Sequence, residues 1–143
     1  MSEKYDICVF TKIQRELADE IIDKFDFWKV VKRRFYEDSC EIVDKHLSKN
    51  LKAVCGNKCK NTILIDIHDQ LAEPAQNVMR FAPWTDNLRK DTELKKLVDF
   101  FTASKEKIVF AKDLVRLWDE ARAKQFRGQI DHEKSTRDSP IEK

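Results

Sequence analysis

Apolar positions along this chain follow two different rhythms. "YDICVFT", residues 5–11, gathers Ile7, Val9 and Phe10 into a short run ending on a threonine, which predicts a strand. "RELADEIIDKFDF", residues 15–27, spaces Leu17, Ile21 and Phe25, with Ala18 and Ile22, three or four apart. That spacing predicts an amphipathic helix docked by one face. Residues 28–48 are ambiguous between strand and helix, in both "VVKRRFY" and "CEIVDKHL". "SKNLKAVC" predicts a short helix, opened by Lys49 and ended near Gly56. "NTILIDI", 61–67, is the strongest strand pattern and carries Asp66 at its end, and "NVMRFAPW", 77–84, is a second, stopped by Pro83. "DTELKKLVDFF" predicts a helix with Asp91 as N-cap and Leu94, Leu97, Val98 and Phe101 as its apolar side. A further helix over roughly 108–126 sets Phe110, Leu114, Leu117, Trp118 and Ala121 on one side, and from Arg127 the chain reads as a polar tail.

Strand, helix, strand, strand, helix predicts an α/β fold. In a parallel sheet with right-handed crossovers, Thr11 and Asp66 fall on the same edge. Composition agrees. Two Gly and three Pro among 143 residues are too few for the tight turns of a β-sandwich or barrel. The length fits one domain, here 1–126, followed by the tail 127–143. A net charge of +2 describes a mixed, solvated surface and gives no sign of a nucleic-acid partner. No run of 18 apolar residues suggests a membrane span, and "MSEKYD" lacks the features of a secretory or mitochondrial leader. Cys8, Cys40, Cys55 and Cys59 are then expected as reduced thiols in the cytosol or nucleus.

Three polar groups fall where a phosphate site would need them. Thr11 ends a strand, Lys49 opens a helix and Asp66 ends the strongest strand. They offer a hydroxyl donor, a cation and a carboxylate able to hold a metal such as Mg²⁺, the set that phosphoryl chemistry uses for positioning and charge neutralisation. The competing reading makes Thr11 a helix cap, Lys49 one surface lysine among many and Asp66 the start of a loop.

The ordered run "YDICVFT…SKNL…NTILID…NVMRFAPW…DTELKKLVDFF" resembles the later part of the RNA polymerase II C-terminal-domain phosphatase and NLI-interacting-factor family. These are haloacid-dehalogenase-like (HAD) protein phosphatases. Phe10-Thr11 is similar to the family's strand ending in Phe-Thr or Trp-Ser, and Lys49 before Asn50-Leu51 to its lysine. "ILID" with Asp66 is similar to its acidic strand end, and Pro83-Trp84 to its Pro-aromatic pair. "FYEDSC" resembles the aromatic-to-Cys segment between the first two blocks. The branch with a ubiquitin-like domain is the most similar, and that domain is not in this sequence. The mitochondrial inner-membrane import subunit of the same superfamily shares the Pro-Trp pair and stands as a non-catalytic alternative.

The resemblance implies an α/β, HAD-like parallel sheet and a helical C-terminal extension. It implies a phosphorylated protein or peptide as partner, Mg²⁺ as cofactor, and a nuclear or cytoplasmic location, with mitochondria as alternative. By the same resemblance Thr11 and Lys49 bind phosphate, Lys49 steadies the phosphorylated nucleophile, and Asp66 is the metal ligand.

The family's nucleophile motif, Asp-x-Asp-x-Thr, is missing, because no Asp in the sequence has another Asp two positions later. The chain therefore reads as a fragment or a degenerate relative, weak or silent as a catalyst, whose sheet lacks its first strand. "LIDIHDQLAEP" is a second frame, with Asp66 as attacker and His68 in place of the second Asp, but the flanking blocks then fall in the wrong order. Asp69 could add a carboxylate or simply cap a turn. Cys40, His46, Cys55 and Cys59 are poor zinc ligands, since Cys55 and Cys59 have three residues between them rather than two. Arg33 and Arg34 could meet phosphate or an acidic peptide, though a solvated face is the commoner meaning. His46, His68 and His132 read as surface or structural, and Trp28, Trp84 and Trp118 as fillers of core gaps.

Overall fold

The computed structural model describes residues 4–67, 72–84, 92–104 and 110–137, and of 125–137 the backbone alone. Asp91, His68 and Asp69 lie outside the described residues. The chain begins with β1 (Ile7–Phe10), α1 (Arg15–Phe25) and β2 (Val31–Phe35), a right-sized strand–helix–strand unit. A hairpin follows, β3 (Glu41–Val43) and β4 (His46–Ser48), then α2 (Leu51–Cys55). Strands β5 (Leu64–Asp66) and β6 (Val78–Arg80) precede the helices α3 (Glu93–Ala103) and α4 (Ala111–Arg137).

The architecture is α/β, as the pattern predicts, but among the described residues the strands do not form one sheet. There β1 pairs parallel with β2, β5 parallel with β6, and β3 antiparallel with β4, as three separate pairs. The ambiguous stretch 28–48 is extended. Its hairpin turns through Asp44 and Lys45 at φ of 49° and 66°, the left-handed pair that a two-residue turn demands and that Asp tolerates well. The turn from α1 into β2 is closed by Asp26, whose carboxylate accepts the backbone N–H of Val30 at 2.8 Å and of Val31 at 3.1 Å.

Among the described residues three small apolar clusters stand in place of a single core. Ala18 and Ile22 of α1 pack with Tyr36, Val9 and Val31. Leu51, Cys59, Leu64, Ala72 and Val78 form a second cluster, which Phe10 joins. Met79, Leu97, Phe101, Val115 and Trp118 form the third, with Tyr5 and Ile63 against it. Polar contacts reinforce the first. Arg34 spans Asp19 at 2.7 Å and Asp23 at 2.6 Å, and the Tyr36 hydroxyl donates to Asp19 at 2.7 Å. The Tyr36 bond and then Arg34 hold the Asp19 carboxyl below the usual range. Arg34 is thus committed inside the unit rather than offered to a ligand.

Several faces differ from the periodicity. On α1, Leu17, Ile21 and Phe25 are 54%, 44% and 57% exposed, because only the Ala18–Ile22 side has a sheet to rest on. Trp28 and Trp84 are exposed rather than packed, and only Trp118 fills a core gap. On α4 the buried line is Ala111, Val115 and Trp118, one position round from the predicted side, with Phe110 and Ala121 exposed. α4 also runs to Arg137, where a polar tail was expected from Arg127. Gln, Arg, Lys and Glu favour helix, and a single Gly128 costs only about 1 kcal/mol. Among the described residues no helix is long and apolar enough to cross a membrane.

α4 is fixed to β6 and α3 by directed bonds. Trp118 Nε1 donates to the Arg80 carbonyl at 2.9 Å, and Arg122 donates to the same carbonyl at 3.2 Å and to Glu93 at 3.1 Å. Truncating Trp118 to Ala is expected to cost about 3–5 kcal/mol in urea unfolding, the usual range for a buried Trp; a loss below about 1 kcal/mol would place it outside the core. Glu93 adds a pH dependence. Burial pushes its carboxyl up, but the Lys96 bond and the charge of Arg122 outweigh burial and hold it below its ordinary value. The stability it contributes is therefore complete above the unfolded-state pKa and is lost as pH falls through the lower folded-state pKa. Glu93→Gln should flatten the acid limb of stability against pH, measured by urea midpoints from pH 3 to 7; an unchanged limb would exclude this contribution.

Candidate functional site

Asp66 closes β5, and its carbonyl accepts the N–H of Phe81 at 3.1 Å, just past β6. Its side chain is 15% exposed and meets Lys49, 13% exposed, at 2.6 Å from Nζ to Oδ2. Oδ1 accepts the backbone N–H of Ile67 at 2.7 Å. Lys49 is anchored through its backbone. Its carbonyl accepts Glu73 N–H at 3.0 Å, and Glu73 in turn accepts Leu51 N–H at 2.8 Å. Lys49 does not open the helix itself. Asn50 is the N-cap of α2, its side-chain oxygen accepting from Lys52 at 2.9 Å and Ala53 at 3.3 Å. Capping at position 50 fixes the direction in which residue 49 leaves the helix. Gly56 ends α2 at φ 52°, as its position predicts.

Thr11 follows β1 and extends its ladder, donating its N–H to the Phe35 carbonyl at 2.9 Å. It does not cap α1; Gln14 occupies that place, with no side-chain bond to the helix. Instead Thr11 Oγ1 accepts the N–H of Ile13 at 3.2 Å, a turn that uses an oxygen lone pair and leaves the hydroxyl hydrogen outside that bond. The Phe10 ring, one residue before, lies 5.9 Å from Lys49 Nζ. Lys49 thus stands between the carboxyl ends of β1 and β5. Cys40, from the segment before β3, lies beside Thr11, its sulfur 3.9 Å from the Thr11 carbonyl. Burial pushes the Cys40 thiol up against the pull of Lys49 and Lys12, so at neutral pH it is a protonated neighbour.

The geometry is an acceptor-rich, cation-centred corner at one rim of the strands. Three of its parts were not singled out from sequence: Phe10 as the ring beside the ammonium, Glu73 as the backbone clamp and Cys40 as a wall. A fourth part, Asn50, carried a readable signal, an N-cap residue directly before an apolar helix. A divalent cation finds little here. Among the described residues the corner offers one carboxylate, with both oxygens engaged and an ammonium 2.6 Å away. A hard cation needs free oxygens and no adjacent positive charge, so these donors do not fit Mg²⁺ as they stand. Nor does any group of three or more His, Cys, Asp or Glu side chains among the described residues suit a metal, zinc included. Cys40, Cys55 and Cys59 are free, with Cys59 buried.

Comparison with known proteins places this corner in context. A family model described as NLI interacting factor-like phosphatase matches residues 1–114. CTD small phosphatase-like protein 2 of Dictyostelium discoideum is 30% identical over 101 residues, covering 70% of this chain and 18% of that protein. The human CTD small phosphatase-like protein is 28% identical over 108 residues, covering 71% of this chain and 36% of its own length. A probable C-terminal domain small phosphatase of Dictyostelium discoideum is 27% identical over 124 residues, covering 85% and 38%. The chain thus spans less than two-fifths of the length of these relatives. Matched over most of its length, it belongs to the NLI interacting factor-like phosphatase family.

Proposed function

We propose that this chain is the carboxyl-side part of a HAD-like phosphoprotein phosphatase domain, which by itself holds a phosphoserine or phosphothreonine group without hydrolysing it. The observation that carries the reading is the buried Lys49–Asp66 pair at the end of β5, beside the Phe10-Thr11 end of β1. Asp66 holds the Lys49 ammonium in one direction. Lys49 then neutralises phosphate charge, and the Thr11 hydroxyl donates to a phosphate oxygen. A cation and a hydroxyl fixed in advance bind an anion without the ordering cost of mobile side chains. The alternative family role, a non-catalytic import subunit, rests on the Pro83-Trp84 pair alone.

Hydrolysis needs a nucleophile and an acid that the sequence does not contain in the family's pattern, since no Asp has another two positions on. Each missing catalytic group removes powers of ten in rate. The carboxylate that would take Mg²⁺ in a complete site serves here to orient Lys49, so no step is assigned to a metal.

Two measurements on the full chain test this. With Mg²⁺ present, turnover of a phosphoserine peptide should not exceed the blank. The same peptide should bind by fluorescence anisotropy more tightly than its unphosphorylated form, and Lys49→Met should weaken binding about 10- to 100-fold, the worth of a charge-assisted hydrogen bond. Turnover that vanishes in Asp66→Asn would show an active enzyme instead, and equal binding of both peptides would remove the phosphate role altogether.

A further inference from the structure

Thr11 and Ile13 are both tied to the end of β2 and the segment after it. The Thr11 N–H donates to the Phe35 carbonyl at 2.9 Å, and the Ile13 carbonyl accepts the Glu37 N–H at 3.3 Å. Between these two bonds, Thr11 Oγ1 accepts the Ile13 N–H at 3.2 Å. Lys12 is the middle residue of that turn. Its backbone is held on both sides, while its side chain is exposed. Among the described residues Lys12 has no hydrogen-bond or ion-pair partner. The cations near it are committed. Arg15 meets Asp38 at 3.2 Å and lies 4.2 Å over the Tyr36 ring, and Lys49 meets Asp66 at 2.6 Å. Lys12 also acts on the corner itself. Burial raises the Cys40 thiol most; of the charges that reach it, Lys49 and then Lys12 come first, ahead of Glu37 and Asp38. Both ammonium groups therefore act on the same wall, and each does so more strongly than either opposing acid.

A phosphate monoester carries about 1.5 to 2 negative charges at pH 7. The corner described above does not answer that charge. Lys49 and Asp66 cancel, the Cys40 thiol is neutral, and Thr11 brings a hydrogen without a charge. We propose that Lys12 is a second phosphate-binding residue, whose ammonium supplies the positive charge that the Lys49–Asp66 pair lacks. The proposal rests on the phosphate reading of Thr11 and Lys49 and divides the work between the two lysines. Lys49, buried and aimed by Asp66, fixes where the phosphate sits. Lys12, exposed and unbonded, neutralises it. Reach is sufficient: the Lys12 Cα stands about 3.8 Å from that of Thr11, and a flexible four-carbon stem carries the charge. A phosphate oxygen bonded to the Thr11 hydroxyl lies within that range. Sequence adjacency to Thr11 alone did not reveal this, because an exposed lysine after a strand is ordinary until its neighbours are seen to be spent.

The probe is an acetylated, amidated peptide whose only acidic group is one phosphoserine, titrated into the full chain by fluorescence anisotropy beside its unphosphorylated form. Lys12→Met should lower the preference for the phosphorylated peptide about 3- to 10-fold, less than Lys49→Met, because water screens an exposed charge. Lys12→Arg should hold the preference to within about twofold of the unchanged chain. Lys29→Met, at an exposed lysine in the turn after α1, should leave it as it was. The proposal is overturned if Lys12→Met keeps the full preference, if Lys29→Met lowers it as much, or if Lys12→Met weakens both peptides alike and so marks a contact away from the phosphate. Each of those results leaves the roles of Lys49 and Thr11 standing. If the unchanged chain does not tell the two peptides apart, the phosphate reading falls and this proposal with it.

Discussion

The buried ion pair between Lys49 and Asp66 is the constraint on which the functional end of this molecule rests. Two charged side chains, 13% and 15% exposed, are taken out of water, which is tolerable only because each has the other and because the backbone fixes both. Glu73 clamps Lys49 from the loop before β6, Asn50 sets the start of α2, and Phe81 holds the Asp66 carbonyl. Separated by 17 positions in sequence, the two residues tie the α2 segment to β5. Through the Phe10 ring the pair also reaches β1. Remove either partner and the other keeps its burial but loses its ion pair.

The rest of the fold shows what happens when parallel pairs are not joined into a sheet. The β1–α1–β2 unit has its own small cluster and its own Asp19–Arg34–Tyr36 network, and Phe10 and Tyr5 reach from this part of the chain into the other two clusters. Half of the apolar face of α1 is left to solvent, as are Phe27 and Trp28. Two further clusters are bound together by β5, β6 and the buried side of α4. A domain usually has one contiguous core; three clusters mean that directed polar bonds, such as Trp118 to the Arg80 carbonyl, carry more of the docking.

Much of this was legible from local patterning. β1, α1, β5, β6, α3 and the start of α4 stand where the rhythm of apolar residues puts them, because short strands and amphipathic helices are written in nearest-neighbour chemistry. The strand end at Asp66 was legible for the same reason, whereas Lys49 carried the pattern of a helix opening that Asn50 caps instead. Burial was less readable. Leu17, Ile21, Phe25 and Trp28 carry the signature of packed residues, but packing depends on a partner surface that no local pattern records. The hairpin at 41–48 was hidden because its turn is Asp44-Lys45 rather than Asn-Gly, and its strands are only three residues long. Glu73 and Cys40 come to the site through tertiary contacts, which spacing along the chain cannot show.

A double-mutant cycle on Lys49→Met and Asp66→Asn, read by urea unfolding of the full chain, tests the central claim most directly. The account predicts that the single changes are each destabilising and that their coupling is about 1–3 kcal/mol, since the second change removes a charge already stranded by the first. Effects that add to within about 0.5 kcal/mol would contradict it, showing that the two side chains do not depend on each other.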